Sequence, residues 1–364
     1  MNQYLLILVW VLFLGVFKTK QQGVYWKNDK LVYRKPSKAY CFLLVFPLIL
    51  SAAFRTTFGD QGYKIAFRAW TLDFEGVIFT IRSGVKGPGY YVIEYIGNLL
   101  FGNNAEIFFF VIAALQMYSL MRLYRRYSLD IWVAVFIFVA STDYLSWMQN
   151  GIRQFIAVTL ILFFSDWIFE KKIVRICVVI LLAASIHSSA LIMLPIVFVV
   201  QGKAFNWKTI LAIIGTVVVL GTLRSVIPVV DTLLTGTEYS GAITDWQESG
   251  NDGVNYLRVL VYSVPTFLSV LGYRAIRQSE DKVIHITCNM SIISTLLYIM
   301  GMFTSGIYVG RLPIYCSLYA NGILLPWVIQ RVFSRNTSKI IYVVMIMSYI
   351  VFYYYQTHVI WGII

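Results

Sequence analysis

Charge is what this chain has least of. Only 13% of its 364 residues are Asp, Glu, Lys or Arg, against about a quarter in an ordinary soluble domain. With 59% hydrophobic residues and a mean hydropathy of +0.72, that scarcity excludes a disordered chain and a soluble multidomain protein. Cysteine is scarce as well. Cys41, Cys177, Cys288 and Cys316 each lie inside an apolar run with no short-spaced partner, which excludes a redox or metal pair and a disulfide-stapled module. The Walker lysine loop, H-E-x-x-H and G-x-S-x-G are all missing, and with them the usual sequence signs of nucleotide, zinc-protease and serine-hydrolase chemistry. No internal repeat, low-complexity linker or cleavable signal peptide is evident, so residues 2–17 read as a first anchor.

What is abundant is apolar sequence. Runs recur at about 2–17, 39–54, 106–121, 129–147, 152–169, 173–187, 188–201, 209–224, 257–273, 283–303, 312–330 and 340–356. They predict an all-α polytopic membrane protein of about 10–12 transmembrane helices, forming a single integral membrane domain over 1–364. The formal net charge is +13, from 30 Lys and Arg against 17 Asp and Glu. In a soluble protein that excess would suggest nucleic acid. Here 21 of the 30 cations fall in alternate loops: 18–38, 122–126, 171–175, 203–208, 274–282 and 331–339. Placing those loops in the cytoplasm puts both termini outside and makes 55–87 and 225–256 periplasmic loops of a bacterial inner-membrane protein. The expected partner is therefore the bilayer, and no nucleic acid.

Two segments fit that parity only as partial crossings. The 14 residues Pro88–Phe101, with Glu94 among them, read as a helix lying in or dipping into the periplasmic face. Runs 173–187 and 188–201 are short for a spanning helix of roughly 20 residues. They read as a tight hairpin with His187 at its tip.

The cations that topology does not use are the informative ones. Arg153, Arg224, Arg258 and Arg311 stand at outer helix ends, against the positive-inside bias. Arginine there suits a bound phosphate or diphosphate, because its planar fork binds bidentately and keeps its charge. The plain alternative is snorkelling, or pairing with acids of loop 225–256. His187, flanked by Ser185, Ser188 and Ser189, can accept a proton near neutral pH, or can simply cap a helix turn. His285 and His358 read as structural. Asp60, five residues after Arg55, could orient a sugar hydroxyl, act as base, or pair with Arg55. Asp73-Phe-Glu75 reads as solvated charge, and Gly84-Val-Lys-Gly-Pro-Gly89 as a turn. No metal and no cofactor is expected.

Several of these residues form a pattern. Arg55…Asp60-x-x-Tyr63, Gly89-Tyr90 before Phe101-Gly-Asn103, and Arg153-Gln154-x-x-Ala157 occur in that order. Ala183-x-x-x-His187-x-Ser189-Ala-Leu191, Asn255-x-x-Arg258 before Pro265, and Gly310-Arg311-x-x-x-Tyr315 running to Pro326 follow. Over roughly residues 50–330 the chain resembles the EpsG-like family of bacterial polysaccharide polymerases, a branch of the Wzy-type O-antigen and capsule polymerases. The resemblance implies a metal-independent glycosyltransferase of the C-type architecture. Its substrate would be an undecaprenyl-diphosphate-linked oligosaccharide on the periplasmic side, and its partners a chain-length regulator and the flippase. It also implies roles. Arg153, Arg258 and Arg311 would hold the diphosphate, and His187 would be the base. Arg55, Asp60, Tyr63, Gln154, Ser189 and Tyr315 would line the substrate. A flippase or exporter of lipid-linked glycan, or an O-antigen ligase, would need a similar cationic site.

Overall fold

The computed structural model describes residues 3–18, 23–27, 30–56, 58–222, 232 and 253–364, with side chains omitted at 23–34. It is an all-helical membrane protein. Among the described residues the only sheet is a two-stranded antiparallel hairpin in the basic loop, Gly23–Lys27 with Lys30–Arg34, in which Gly23 faces Arg34. Among the described residues four helices are long and apolar enough to cross a bilayer: Ala105–Tyr127, Lys282–Phe303, Val309–Arg331 and Arg335–Ile360. Eight shorter apolar helices of 10–17 residues accompany them. Each of the twelve apolar runs thus becomes a helix.

Small polar residues start these helices. A side-chain oxygen accepts an early backbone N–H at Ser37, Asn104, Asp130, Asn206, Asn255, Asp281 and Ser334. Such caps satisfy donors that would otherwise be stranded near lipid. The centre of the bundle is Val309–Arg331, 89% buried over its apolar window, whereas Arg335–Ile360 is only 22% buried. Trp207–Gly221 leaves Ile210, Leu211, Ile214, Val217 and Val218 exposed. Apolar residues on an outer face are the ordinary surface of a protein whose solvent is lipid.

Two features bear on the site. Pro88–Phe101 is one helix with the expected limits, begun by Gly87 in the left-handed region (φ 72°) and closed by Gly102 (φ 57°). It packs against Ile173–Ile186, which in turn packs on Ile152–Phe163. The chain then turns at His187 into the 3₁₀ segment Ser188–Ile192 and the helix Met193–Val199. The hairpin and the histidine at its tip are therefore present.

Candidate functional site

His187 sits where three segments meet. Its backbone is extended (φ −151°, ψ 118°), which ends Ile173–Ile186 and turns the ring back over the next residues. Nδ1 lies 2.8 Å from Ser189 Oγ, and that oxygen lies 2.9 Å from Tyr315 OH. The Ser189 backbone N–H also donates to Nδ1, at 3.4 Å. Nδ1 is then an acceptor, and the neutral ring carries its proton on Nε2. Burial, followed by the charges of Arg153 and Arg311, pushes the imidazole down to about 3. At pH 7 the ring is neutral and lies in the field of two guanidiniums.

Arg153 occupies the first turn of Ile152–Phe163, directly after a π-helical turn, Leu145–Asn150. Such turns re-aim the side chains that follow them. Its Nη2 donates to the carbonyls of Lys86 (3.1 Å) and Ile186 (3.4 Å), and the guanidinium lies 5.5 Å from the Tyr90 ring centre. The glycine-rich turn before Pro88 makes room for it. A Cβ on Gly87 would stand 2.8 Å from Ile186 O and 2.9 Å from Arg153 Cζ. Gln154 Nε2 donates to the Arg311 carbonyl at 3.2 Å, fastening this helix to the turn that carries Arg311. Arg153, Gln154, His187, Ser189, Arg311 and Tyr315 thus form one connected group.

Arg55, Asp60 and Tyr63 support that group from below. The Arg55 guanidinium is buried, with 1% of the residue exposed. It donates to Ala52 O (2.6 Å) and to the backbone carbonyl of Asp60 (3.3 Å), and lies 4.7 Å from the Phe109 ring centre. Burial lowers it to about 10, so it stays charged at pH 7. Asp60 N–H donates to Gln149 O (2.8 Å), while its Oδ1 accepts from Gly62 N–H (3.1 Å). Gly59 (φ 86°) permits this approach, since a Cβ there would lie 2.8 Å from the Gln149 carbonyl carbon. Tyr63 presents its edge to Tyr90 at 5.4 Å between centres. Through Tyr90 the Arg55–Tyr63 segment reaches Arg153.

Arg258 has a different set of partners. It donates to Ser146 Oγ at 3.4 Å, lies 5.4 Å from the Tyr262 ring centre, and faces the charge of Asp143. Asp143 is buried and accepts from Tyr262 OH (2.7 Å) and Trp147 Nε1 (3.3 Å). The residue before it, Thr142, is buried at φ 65°. A β-branched residue there is strained, which the surrounding packing must offset. Arg224 and most of loop 225–256 lie outside the described residues. His285 is tied down structurally, with Nδ1 accepting from Ala204 N–H (3.2 Å) and Nε2 2.9 Å from Ser279 O.

Asp143 and Glu94 are functional candidates that sequence reasoning missed. Glu94 is 5% exposed, on Pro88–Phe101 one turn after Tyr90. Burial raises its carboxyl to about 7, against the opposing pull of Tyr90 and Arg153. The available signal was a lone glutamate i+4 from the tyrosine of Gly89-Tyr90, on the same helix face.

Comparison with known proteins fits this arrangement. No curated protein and no solved structure matches the chain. The family model described as the EpsG family matches residues 38–361, a span that holds every member of the connected group as well as Arg258. The chain belongs to the EpsG family.

Proposed function

We propose that this protein is a polysaccharide polymerase of the inner membrane, with its active site facing the periplasm. It would transfer a growing glycan from undecaprenyl diphosphate to the non-reducing end of a new lipid-linked repeat unit. Family membership supports the general role in polysaccharide synthesis. The observation that carries the finer reading is the connected group in which Arg153, through Ile186 O, and Arg311, through Gln154, meet the His187–Ser189–Tyr315 chain. Guanidiniums beside an N–H donor suit the charge that develops on a departing diphosphate.

In this reaction the acceptor hydroxyl oxygen forms a bond to the anomeric carbon as that carbon's bond to the diphosphate breaks. The diphosphate leaves on the lipid, held by Arg153 and Arg311 and receiving a hydrogen bond from His187 Nε2. The hydroxyl proton needs an acceptor whose pKa lies near the working pH. We assign that role to Glu94, at about 7 and in the field of Arg153, rather than to His187. His187, protonated on Nε2, acts as a donor. Arg55, Asp60 and Tyr63 hold Tyr90 and the Arg153 socket in place.

Reconstitution with purified lipid-linked repeat unit, with and without chelator, tests this reading. Products longer than one unit, undiminished by chelator, are expected. Translocation without a longer product would mean a flippase, and elongation that requires a lipid A core acceptor would mean a ligase.

A further inference from the structure

The Ala105–Tyr127 helix has two different polar settings at its ends. Near its start, Phe109 packs on Arg55 below the candidate site. At its far end, about 20 Å away at 1.5 Å per residue, Arg122, Arg125 and Arg126 gather beside Lys35 and Lys38. These five cations line one groove between this helix and Lys38–Ala53, with a cavity volume of about 690 Å³. The rest of its wall is apolar but for one cysteine and one tyrosine, with Phe42, Val45 and Ile49 on one side and Phe110 and Ala114 on the other. Among the described residues no Asp or Glu lines it.

Sequence topology accounts for those cations only as a sorting signal. Their geometry shows more. Arg125 Nε donates to Pro36 O at 2.9 Å, which fixes the guanidinium at the junction of the two segments. Arg122 and Arg126 share a single carboxylate, Asp166, at 2.9 and 2.5 Å. One counter-charge to five cations, among the described residues, leaves a strong local excess. The groove runs from Phe110 to Arg122, about 18 Å along the helix, close to the roughly 15 Å of one hydrocarbon leaflet. A charged mouth at one end and a leaflet-length apolar wall match a single lipid molecule with an anionic head.

We propose that this groove binds one acidic glycerophospholipid, its phosphate among Lys38, Arg122 and Arg125 and an acyl chain along Phe42, Val45 and Ile49. Its size lies within the range of about 300–1,000 Å³ usual for ligand sites. Basic pockets between membrane helices bind anionic headgroups by the same electrostatics. The site is separate from the candidate catalytic group, and the proposal does not depend on which reaction that group performs.

The test uses the purified full-length protein in an uncharged detergent, stripped of lipid and titrated with dioleoyl phosphatidylglycerol or dioleoyl phosphatidylcholine. Retained lipid is counted by native mass spectrometry. The wild type should retain phosphatidylglycerol at least tenfold better than phosphatidylcholine. The double substitution Lys38→Gln/Arg125→Gln should weaken phosphatidylglycerol about thirtyfold, at the roughly fivefold that each basic residue contributes. Ala114→Trp, which fills the groove without touching a charge, should lower retention of both lipids. Millimolar glycerol 3-phosphate should not displace the lipid, because the wall contacts the chain. Equal retention of the two lipids by the wild type overturns the proposal, as does an unchanged preference in the double variant. Displacement by glycerol 3-phosphate would overturn it too, leaving a phosphate site with no lipid. Should the double variant fail to fold, the wild-type comparison and Ala114→Trp still decide.

Discussion

Replacing Gly87 by alanine should separate the architecture of the Arg153 socket from simple backbone strain. Gly87 has φ 72°, a region that costs a residue with a Cβ about 1–2 kcal/mol. The new methyl would also stand 2.9 Å from Arg153 Cζ and 2.8 Å from Ile186 O. Both belong to the group it would displace, so the guanidinium must leave its bonds to Lys86 O and Ile186 O. Each such charged hydrogen bond contributes about 1.5–3 kcal/mol, and a shift of about 1 Å at a positioning residue costs on the order of 100-fold in rate. Gly84 supplies the control. It has φ 82°, and a Cβ there would meet nothing within 4 Å. Gly84→Ala should therefore carry the same backbone cost with no effect on Arg153. Each variant is expressed in cells lacking the chromosomal gene. Membrane level is measured by immunoblot, thermal unfolding in detergent, and glycan length by gel. Gly87→Ala should lose about 100-fold of elongation, and Gly84→Ala should stay within about threefold. Equal losses in the two variants would refute the socket argument and leave only backbone strain. Full activity in Gly87→Ala would remove Arg153 from the site.

Arg153→Ala, Arg311→Ala and His187→Ala should each insert normally yet leave glycan at a single repeat unit, seen as loss of the polymer ladder. Arg153→Lys should recover little, because a single ammonium cannot reproduce the fork that spans two carbonyls and a phosphate. Elongation by the wild type should rise with pH through about 7, as Glu94 releases its proton, and Glu94→Gln should abolish that rise and most of the activity. The sign for stability is opposite. A carboxyl that keeps its proton to about 7 in the fold, against an ordinary 4.5, makes the fold less stable as pH rises between those values. Unfolding of Glu94→Gln should lack that slope. Asp143→Asn, which keeps the acceptors for Tyr262 and Trp147 but removes the charge facing Arg258, should cost about 3 kcal/mol. Arg258→Met added to it should recover part of that loss in chemical denaturation, and no recovery would mean that the two charges are not coupled.

The fold was legible where local chemistry decides it. Twelve apolar runs became helices, and Asn, Asp or Ser capped seven of them. Pro88–Phe101 kept its limits because Pro after a left-handed glycine starts a helix and Gly102 ends one. The convergence of Arg153, His187 and Arg311 was also within reach, because loop charges restrict which helix ends can share a face. The partners were not. Arg258 suggested a counter-ion in the acidic loop 225–256, most of which lies outside the described residues, and among the described residues it faces the charge of Asp143, from inside an apolar run. Nothing local to Thr142-Asp143 announces a charge facing a residue 115 positions away. Gly87 looked like any turn glycine, since its role depends on an arginine 66 residues later in the chain. Glu94 looked like a reason to deny a crossing, and its burial beside Tyr90 needed the packing of Pro88–Phe101 on Ile173–Ile186.

The shortness of the helices around the site has a further consequence. Ile173–Ile186 has 14 residues and the returning Ser188–Val199 has 12, so each extends about 20 Å. The hydrocarbon slab is about 30 Å thick. Helix ends with polar backbone and charged side chains cannot rest in hydrocarbon, so the bilayer must pinch inward around this part of the protein, or water must descend to meet it. With the hairpin entering from the opposite face, as the loop charges predict, the His187 tip would stand several ångströms below the level of the surrounding headgroups. The polyprenyl diphosphate of the proposed function would then present its head to the arginines while its tail remained in the leaflet. The cost of that pinching grows with bilayer thickness. If the proposed polymerase activity is right, elongation in liposomes of graded acyl length should be fastest in the thinner ones, which would make the thickness of the host membrane part of the machinery.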